Sequence, residues 1–422
     1  MQRLKVNLGI KVSSVLPNYI TLLCGIILIT FVTEKMYLEY LIPFCSLNYF
    51  LIIKRGKIQG SVGKKMFILF GIFIAIQFAG LLKNVTVYSV KNILTSGSVF
   101  LIIYTILSGK FKIQKEYIKI YYFMACIVLF FLSKIETNSK NTLAGCAIFL
   151  YLLLIVLMEW NKSEERKRTK QKGCRMELIV MIGMLPAIIF SLVYSSRTAL
   201  FTGIFIILLY FAFYLFDLNA RTYQRLFGPM LFFIIAGLVI YINAKNYSWY
   251  DSINTISLKY FGKNIDSSRS YLWRTSLAEL KGLNLILGMG TGITPFIKRY
   301  ANSSFHNSFI QTLMQNGVVG LLCLIVIFWI LWKHIVQITD RSLRALLMAA
   351  FFAVVAYNCM ECCLLQNKFF LGMIQWMILS LGICYAETYK YKYQEDEIFL
   401  FKEKPVFLEK GLNCNESGKM VY

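Results

Sequence analysis

Apolar runs long enough to cross a bilayer recur along the whole chain, each separated from the next by polar or charged residues. A hydrocarbon core of roughly 30 Å and a helical rise of about 1.5 Å per residue require about 17–25 such residues per crossing. Twelve runs fit, with soft edges: 16–33, 36–53, 66–82, 88–107, 119–133, 142–158, 177–194, 199–216, 227–243, 307–332, 343–360 and 369–386. The run 119–133 is the weakest of them. A crossing segment has to pair its backbone N–H and C=O groups within itself, and these runs are too long and continuous for barrel strands. The expected fold class is therefore all-α: a polytopic integral membrane protein forming one membrane domain of about twelve transmembrane helices, 1–422.

One interval breaks the pattern. Residues 244–305, between the ninth and tenth runs, are polar and far longer than any other outer loop, and short helices are expected within them. Asp266 and Ser267 are good N-caps, and Tyr271, Leu272, Leu277 and Leu280 follow at helical spacing. Gly288-Met289-Gly290-Thr291-Gly292 then interrupts regular structure. It lacks the strand–turn–helix setting of a dinucleotide site and reads as a turn that allows close backbone approach, to the chain itself or to a substrate phosphate or sugar. The mixed-charge tail 387–422 is expected as a cytoplasmic tail that extends the last helix by a few turns.

Composition supports the membrane reading: 58% of the residues are hydrophobic and the mean hydropathy is +0.61. The net charge of +24 would suit nucleic acid, but its placement argues against that. With the N-terminus inside, thirty of the 45 Lys and Arg fall on the inner side, seven in the short outer loops and eight in the long one. That is the positive-inside bias of a membrane protein facing anionic lipid headgroups, and nucleic acid is not an expected partner. The basic stretch 162–175 reads as a solvated cytoplasmic loop. The first run follows Arg3, Lys5 and Lys11 and is expected to stay as an anchor. Cys359-Met360-Glu361-Cys362-Cys363 has Cys-x-x-Cys spacing but no second pair or nearby histidine, and is read as structural.

Candidate chemistry gathers on the outer side. Arg197, in the short hairpin between the seventh and eighth runs, is either an interfacial snorkelling arginine or a guanidinium fixed at the mouth of a cavity. Arg269 and Arg274 lie five residues apart, about 140° around a helix, so one can face a substrate while the other pairs elsewhere. Guanidinium offers forked hydrogen bonding to phosphate oxygens, and Arg269 near a helix start adds the positive helix end. His306 is one of two histidines; His334, beside Lys333, is read as incidental. A neutral imidazole at a helix start and near arginines suits a general base. Asp251, Asp266 and Glu279 are scattered, so no metal site and no two-carboxylate hydrolysis is written here, and no cofactor is implied.

Ser196-Arg197-Thr198-Ala199-Leu200, Arg269-Ser270-Tyr271-Leu272-Trp273, Leu287-Gly288-Met289-Gly290, His306-Asn307-Ser308-Phe309 and Asn316-Gly317 occur in this order over 192–321. The order resembles the O-antigen polymerase and O-antigen ligase superfamily of bacterial envelope polysaccharide assembly. The resemblance implies a metal-independent, inverting glycosyl transfer at the extracytoplasmic face of the bacterial cytoplasmic membrane. The donor would be a glycan on undecaprenyl diphosphate, and a second lipid-linked repeat unit the acceptor. On that analogy Arg197 and Arg269 hold the diphosphate and His306 deprotonates the acceptor hydroxyl. Arg274, Asn307 and Gly290 are further substrate-binding candidates. Membrane lipids, a chain-length regulator and a flippase would be its partners. A capsular or O-antigen polymerase is the expected activity. A ligase to a different acceptor is the alternative, and a lipid-linked oligosaccharide flippase the alternative from another class.

The topology is directly testable. Periplasm-active reporters fused within 244–305 should be active, and those fused within 162–175 silent; reporters placing Arg197 and His306 on opposite leaflets would remove the site.

Overall fold

The computed structural model describes residues 22–30, 41–53, 60–83, 85–107, 115–133, 140–169, 176–266, 268–295, 304–365 and 369–402. The ends of the first two apolar runs, the part of the basic loop at 170–175, Ser267, residues 296–303 and the tail beyond 402 lie outside the described residues. The described residues carry helices and turns and no strand. The helices are α1 (22–30), α2 (Leu41–Asn48), α3 (Gly60–Lys83), α4 (Val87–Leu107), α5 (Lys115–Leu132), α6 (Lys140–Thr169), α7 (Met176–Val193) and α8 (Arg197–Phe216). They continue with α9 (Ala220–Arg225), α10 (Phe227–Ile242), α11 (Tyr250–Phe261), α12 (Arg269–Ala278), α13 (Leu283–Leu287), α14 (Ser308–Ile335), α15 (Arg341–Asn358) and α16 (Phe369–Lys402).

Each of the twelve apolar runs is helical where it is described, but only eight helices among the described residues are both long and apolar enough to cross a membrane. Leu41–Leu51 and Ile179–Val193 are shorter apolar helices. α5 carries Lys115, Glu116 and Lys119 in its first turns, which dilutes its apolar stretch. The chain is an all-helical, polytopic membrane protein. α6, α15 and α16 form its centre, with 83, 78 and 89% of their spanning windows buried, whereas α10, at 11%, stands at the periphery. Phe232, Phe233 and Ile235 on α10 and Phe201 and Leu208 on α8 are exposed, as helix faces turned to lipid should be. α16 runs on to Lys402, the extension expected of the last helix.

The ends of α6, α8 and α15 at the basic-loop side are locked by ions. Arg166 of α6 donates to Glu159 of its own helix and to both oxygens of Asp340, the N-cap of α15, whose Oδ1 also accepts the Leu343 N–H at 3.0 Å. Arg341 and Arg344 of α15 pair with Asp217, the left-handed C-cap of α8. Glu159 is fully buried, so its carboxylate depends on Arg166.

At the other side, α10 leads through a short 3-10 turn (Ala244–Asn246) into α11, α12 and α13. α11 ends in a left-handed cap at Gly262, whose N–H reaches the Leu258 carbonyl. Leu272 and Trp273 of α12 join Leu280, Phe305, Ile310 and Met314 in a small separate core, and Trp273 Nε1 donates to the Phe305 carbonyl at 2.6 Å.

The glycine segment docks onto a broken helix. α14 is kinked at Gly317 (φ 65°), which leaves carbonyls of the preceding turn open; the Met289 and Gly290 N–H groups donate to the Met314 and Gln315 carbonyls at 2.8 and 3.2 Å. Both backbones must come close for this. A Cβ at Gly288 (φ 76°) would run into the Gln315 carbonyl, and one at Gly317 into that of Ile286. Thr291 then anchors the segment to α3 and α4: its Oγ1 donates to the Gln77 carbonyl at 2.6 Å and its carbonyl accepts from Asn92 Nδ2 at 2.8 Å. The close approach expected of this segment is therefore made to the chain itself.

Arg166→Met should lower stability by about 3–5 kcal/mol, because it strands a buried carboxylate. Unfolding of purified protein in detergent measures this, and Glu159→Gln in the same background should recover much of the loss.

Candidate functional site

Arg197 is the first residue of α8. Its hairpin turns on Ser195, a non-glycine residue with φ of 49°, and Ser196, whose N–H closes back on the Ser191 carbonyl at 2.9 Å. The guanidinium is held, not free to snorkel: Nη1 donates to Ser257 Oγ at 2.7 Å and to the Asn264 carbonyl at 3.0 Å. Ser257 Oγ in turn donates to the Lys263 carbonyl at 2.7 Å. The end of α11 and the loop after it thus fix the arginine.

Arg269 is the first residue of α12. Asp266 prepares that start: its carbonyl accepts the Arg269 N–H at 2.7 Å, and its carboxylate accepts from the Ser268 N–H at 3.3 Å and from Ser270 Oγ at 2.7 Å. Ser268 takes the cap position with φ of 63°, rather than Asp266 or Ser267 as expected, while the Asp266 side chain still satisfies donors of the first turn. Burial pushes the Asp266 carboxyl up, but the hydrogen bonds from Ser270 and Ser268 and the Lys245 ammonium together outweigh it and hold it below the ordinary carboxyl range. The stability this lends is present above the ordinary aspartate range and is lost as pH falls through the lowered value.

Arg197 and Arg269 line one cavity of about 680 Å³, together with Ser257, Lys263 and Tyr241. Asn141, Ser195, Thr198 and Thr202 add neutral polar groups, and the rest of the wall is apolar. Phe201, Ile204, Phe205 and Leu208 contribute one face of α8, and Ile253 and Ile256 come from α11. Phe201, Ile204, Leu208, Ile253 and Ile256 are exposed at this wall. The cavity has a cationic end, where Arg197 sits at the positive terminus of α8, and an apolar stripe running about 10 Å down the same helix.

His306 does not line that wall, but it lies one carboxylate away from it. Arg269 Nη2 donates to Glu361 Oε1 at 2.9 Å, and Glu361 Oε2 is 3.8 Å from His306 Nδ1. Met360, next to Glu361, is part of the cavity wall. Arg197, Arg269 and His306, distant in sequence, are therefore joined through one cavity and one carboxylate. Glu361 escaped the sequence reading, which took the segment around it for its cysteines. The available signal was its place: an acidic residue at the predicted outer end of an apolar run, where ionisable groups are costly.

The other candidates are engaged elsewhere. Arg274 Nη2 donates to the Ile242 carbonyl at 2.9 Å, at the C-terminal end of α10 where a cation is favoured, and it is not part of the cavity wall. The two arginines of α12 divide as their 140° offset suggests. Asn307 is buried as the N-cap of α14; Oδ1 accepts the Phe309 and Ile310 N–H groups at 2.9 Å, and Nδ2 donates to the Cys359 carbonyl at 2.8 Å. Gly290 (φ 120°) lies against α14. Cys359, Cys362 and Cys363 form no disulfide among the described residues and are buried, and burial pushes the Cys359 thiol up to about 12.

Residues 182–325, about a third of the chain, match the family model described as O-antigen ligase. The matched segment runs from α7 through the arginine hairpin, α11 to α13 and His306 into α14, and it spans the stretch whose motifs resemble the O-antigen polymerase and ligase superfamily. Neither curated proteins nor solved structures give a match. The family points to a membrane-embedded glycan transferase that works on lipid-linked oligosaccharide.

The Cys359 thiol should resist alkylation. At pH 8 a thiol of pKa about 12 is ionised at roughly one part in ten thousand. Maleimide should modify it at least about 10³-fold more slowly in membranes than after unfolding, as read by mass spectrometry of the peptide.

Proposed function

We propose, from the O-antigen ligase match and the form of the cavity, that this chain is a polysaccharide polymerase of the bacterial cytoplasmic membrane. It transfers a glycan from undecaprenyl diphosphate to a sugar hydroxyl of another lipid-linked repeat unit, on the extracytoplasmic face. The observation that carries this reading is the amphipathic cavity: two guanidiniums and an exposed apolar stripe of α8 line one wall. A lipid diphosphate has the same two-part character.

The chemistry follows from the groups present. The diphosphate binds between Arg197 and Arg269, with Lys263 adding charge, while its isoprenoid chain lies along Phe201, Ile204 and Leu208. The acceptor hydroxyl gives its proton to the imidazole of His306. Its oxygen attacks the anomeric carbon from the side opposite the diphosphate, so the product is inverted. The C–O bond to the diphosphate breaks with its electron pair on the leaving oxygen. The guanidiniums stabilise that charge as it develops, in a site walled from water on its apolar side. The lipid diphosphate then leaves along the stripe by which it came. A ligase runs the same steps with a different acceptor. A strain lacking the chain that still built polymer on the lipid but failed to attach it would select that second reading.

His306→Ala, Arg197→Ala and Arg269→Ala should each reduce polymer by about 10²–10⁴-fold. Lipid-linked single repeat units should accumulate on the extracytoplasmic leaflet. Arg274→Ala, which loses only the contact to α10, should cost less than about 10-fold. Chain-length ladders and lipid-linked glycan analysis measure both effects, and normal ladders in the His306 and Arg269 variants would overturn the assignment.

A further inference from the structure

Glu361 is the acidic group that the motifs leave out and the geometry brings to the centre. We propose that it is a positioning residue, holding Arg269 with one oxygen and setting the tautomer and orientation of the His306 imidazole with the other. This rests on His306 acting as the proton acceptor of the proposed transfer.

Three independent observations converge on it. Glu361 is buried, its side chain 4% exposed, and its Oε1 is taken by Arg269 Nη2 at 2.9 Å. Its Oε2 faces His306 Nδ1 at 3.8 Å, and that nitrogen is itself buried with no hydrogen-bond partner. An imidazole nitrogen shut away from water beside a carboxylate is best satisfied by carrying the proton and turning it toward the oxygen. The ring then has Nδ1–H and a bare Nε2, and Nε2 is the nitrogen left to take the proton of an attacking hydroxyl. The contact is longer than a hydrogen bond; such contacts commonly tighten only when substrate closes around them.

The third observation is the backbone. His306 has φ of 52°, in the left-handed region that a residue with a Cβ seldom adopts, at a cost of order 1–3 kcal/mol. It is held there from both sides. Phe305 gives its carbonyl to Trp273 Nε1 at 2.6 Å, and Asn307 caps α14 and reaches across to the Cys359 carbonyl. The Ser308 N–H donates to the Glu361 carbonyl at 3.2 Å, so the backbones of His306 and Glu361 are tied within two residues of each other. The strained conformation brings the ring's Nδ1 edge toward the carboxylate.

Glu361→Gln separates this role from a merely structural one. The two side chains are nearly the same size. Arg269 has only donors and therefore takes the amide oxygen, so the NH₂ group faces His306. Nδ1 must then accept, the proton moves to Nε2, and the base is lost.

The chain has only two histidines, so ¹⁵N-histidine labelling of the full-length protein in lipid bilayers resolves both rings. His334 is the internal reference: its Nδ1 is 2.7 Å from the Ile330 carbonyl, an acceptor, which requires Nδ1–H, and its Nε2 faces Glu387 Oε1 at 3.6 Å, a carboxylate that Glu361→Gln leaves in place. At pH 8, magic-angle-spinning NMR of the wild type should show both rings with Nδ1 protonated. In Glu361→Gln, His306 should switch to the Nε2–H form while His334 stays unchanged. In parallel, kcat for polymer formation should fall by about 10²–10⁴-fold, with a much smaller change in donor KM. Glu361→Asp should restore part of the rate and the original tautomer.

An unchanged His306 spectrum in Glu361→Gln overturns the proposal, and so does a loss confined to KM or to the yield of folded protein. If His306→Ala keeps a full ladder, the catalytic reading of His306 fails instead, and the spectra alone still decide whether Glu361 sets its tautomer.

Discussion

The start of α14 is tied to the turn that ends α15, and the position of His306 beside Glu361 follows from that tie. Asn307 and Ser308 make it. Asn307 caps its own helix and donates to the Cys359 carbonyl, while Ser308 Oγ bonds Asn358 Oδ1 at 2.8 Å and accepts the Cys363 N–H at 3.1 Å. All these groups are buried, where an unmade hydrogen bond costs about 1–3 kcal/mol, so the junction has little freedom to open. His306 precedes it on one strand of the tie, and Glu361 lies inside it on the other. Arg269 is brought to the same place by the Asp266 turn and by Trp273, whose indole fastens α12 to Phe305 just before His306.

This arrangement divides the chemistry between a rigid part and an open part. The imidazole and carboxylate sit among helix ends fixed by hydrogen bonds. The cationic end of the cavity is built from α8, α11 and the loop between α11 and α12, where Arg197 is held by backbone carbonyls and Ser257. In the proposed reaction donor recognition and proton transfer thus rest on different elements, and Arg269 belongs to both through its place in the cavity wall and its bond to Glu361. The apolar stripe of α8 completes the division, because Phe201, Ile204 and Leu208 recur at helical spacing on the face that Arg197 heads.

Much of this was legible in the chain. Apolar periodicity marks the helices because lipid permits no unpaired backbone, and Arg197, Arg269 and His306 stood out because charges and a histidine are rare beside such runs. Two kinds of feature were not legible. Among the described residues eight helices are both long and apolar enough to cross a membrane, and the sequence pattern alone did not mark where a charged start, as in α5, dilutes an apolar run. The use to which each polar side chain is put was hidden too. Asn307 and Gly290 belong to motifs near the site, yet cap and packing partners take their polar atoms. Glu361 lies 92 residues from Arg269 and 55 from His306, and only the folding of α14 against α15 brings the three together.

A buried ion pair such as Arg269–Glu361 is weak grounds for stability. Removing two charges from water costs several kcal/mol per ion, and well-packed apolar residues of similar volume often serve a fold as well or better. The comparison with Arg166–Glu159–Asp340 at the opposite side is instructive. There the ions join helix ends directly, and the pairing accounts for itself as a lock between α6 and α15. At the cavity side the helix ends are already joined by Asn307 and Ser308, so the fold has no evident need of Glu361's charge. What that charge adds is direction: a guanidinium aimed at the cavity and an electrostatic reason for one imidazole tautomer. The cost of desolvating it is understandable in a site where charge must move, and is hard to justify as packing alone.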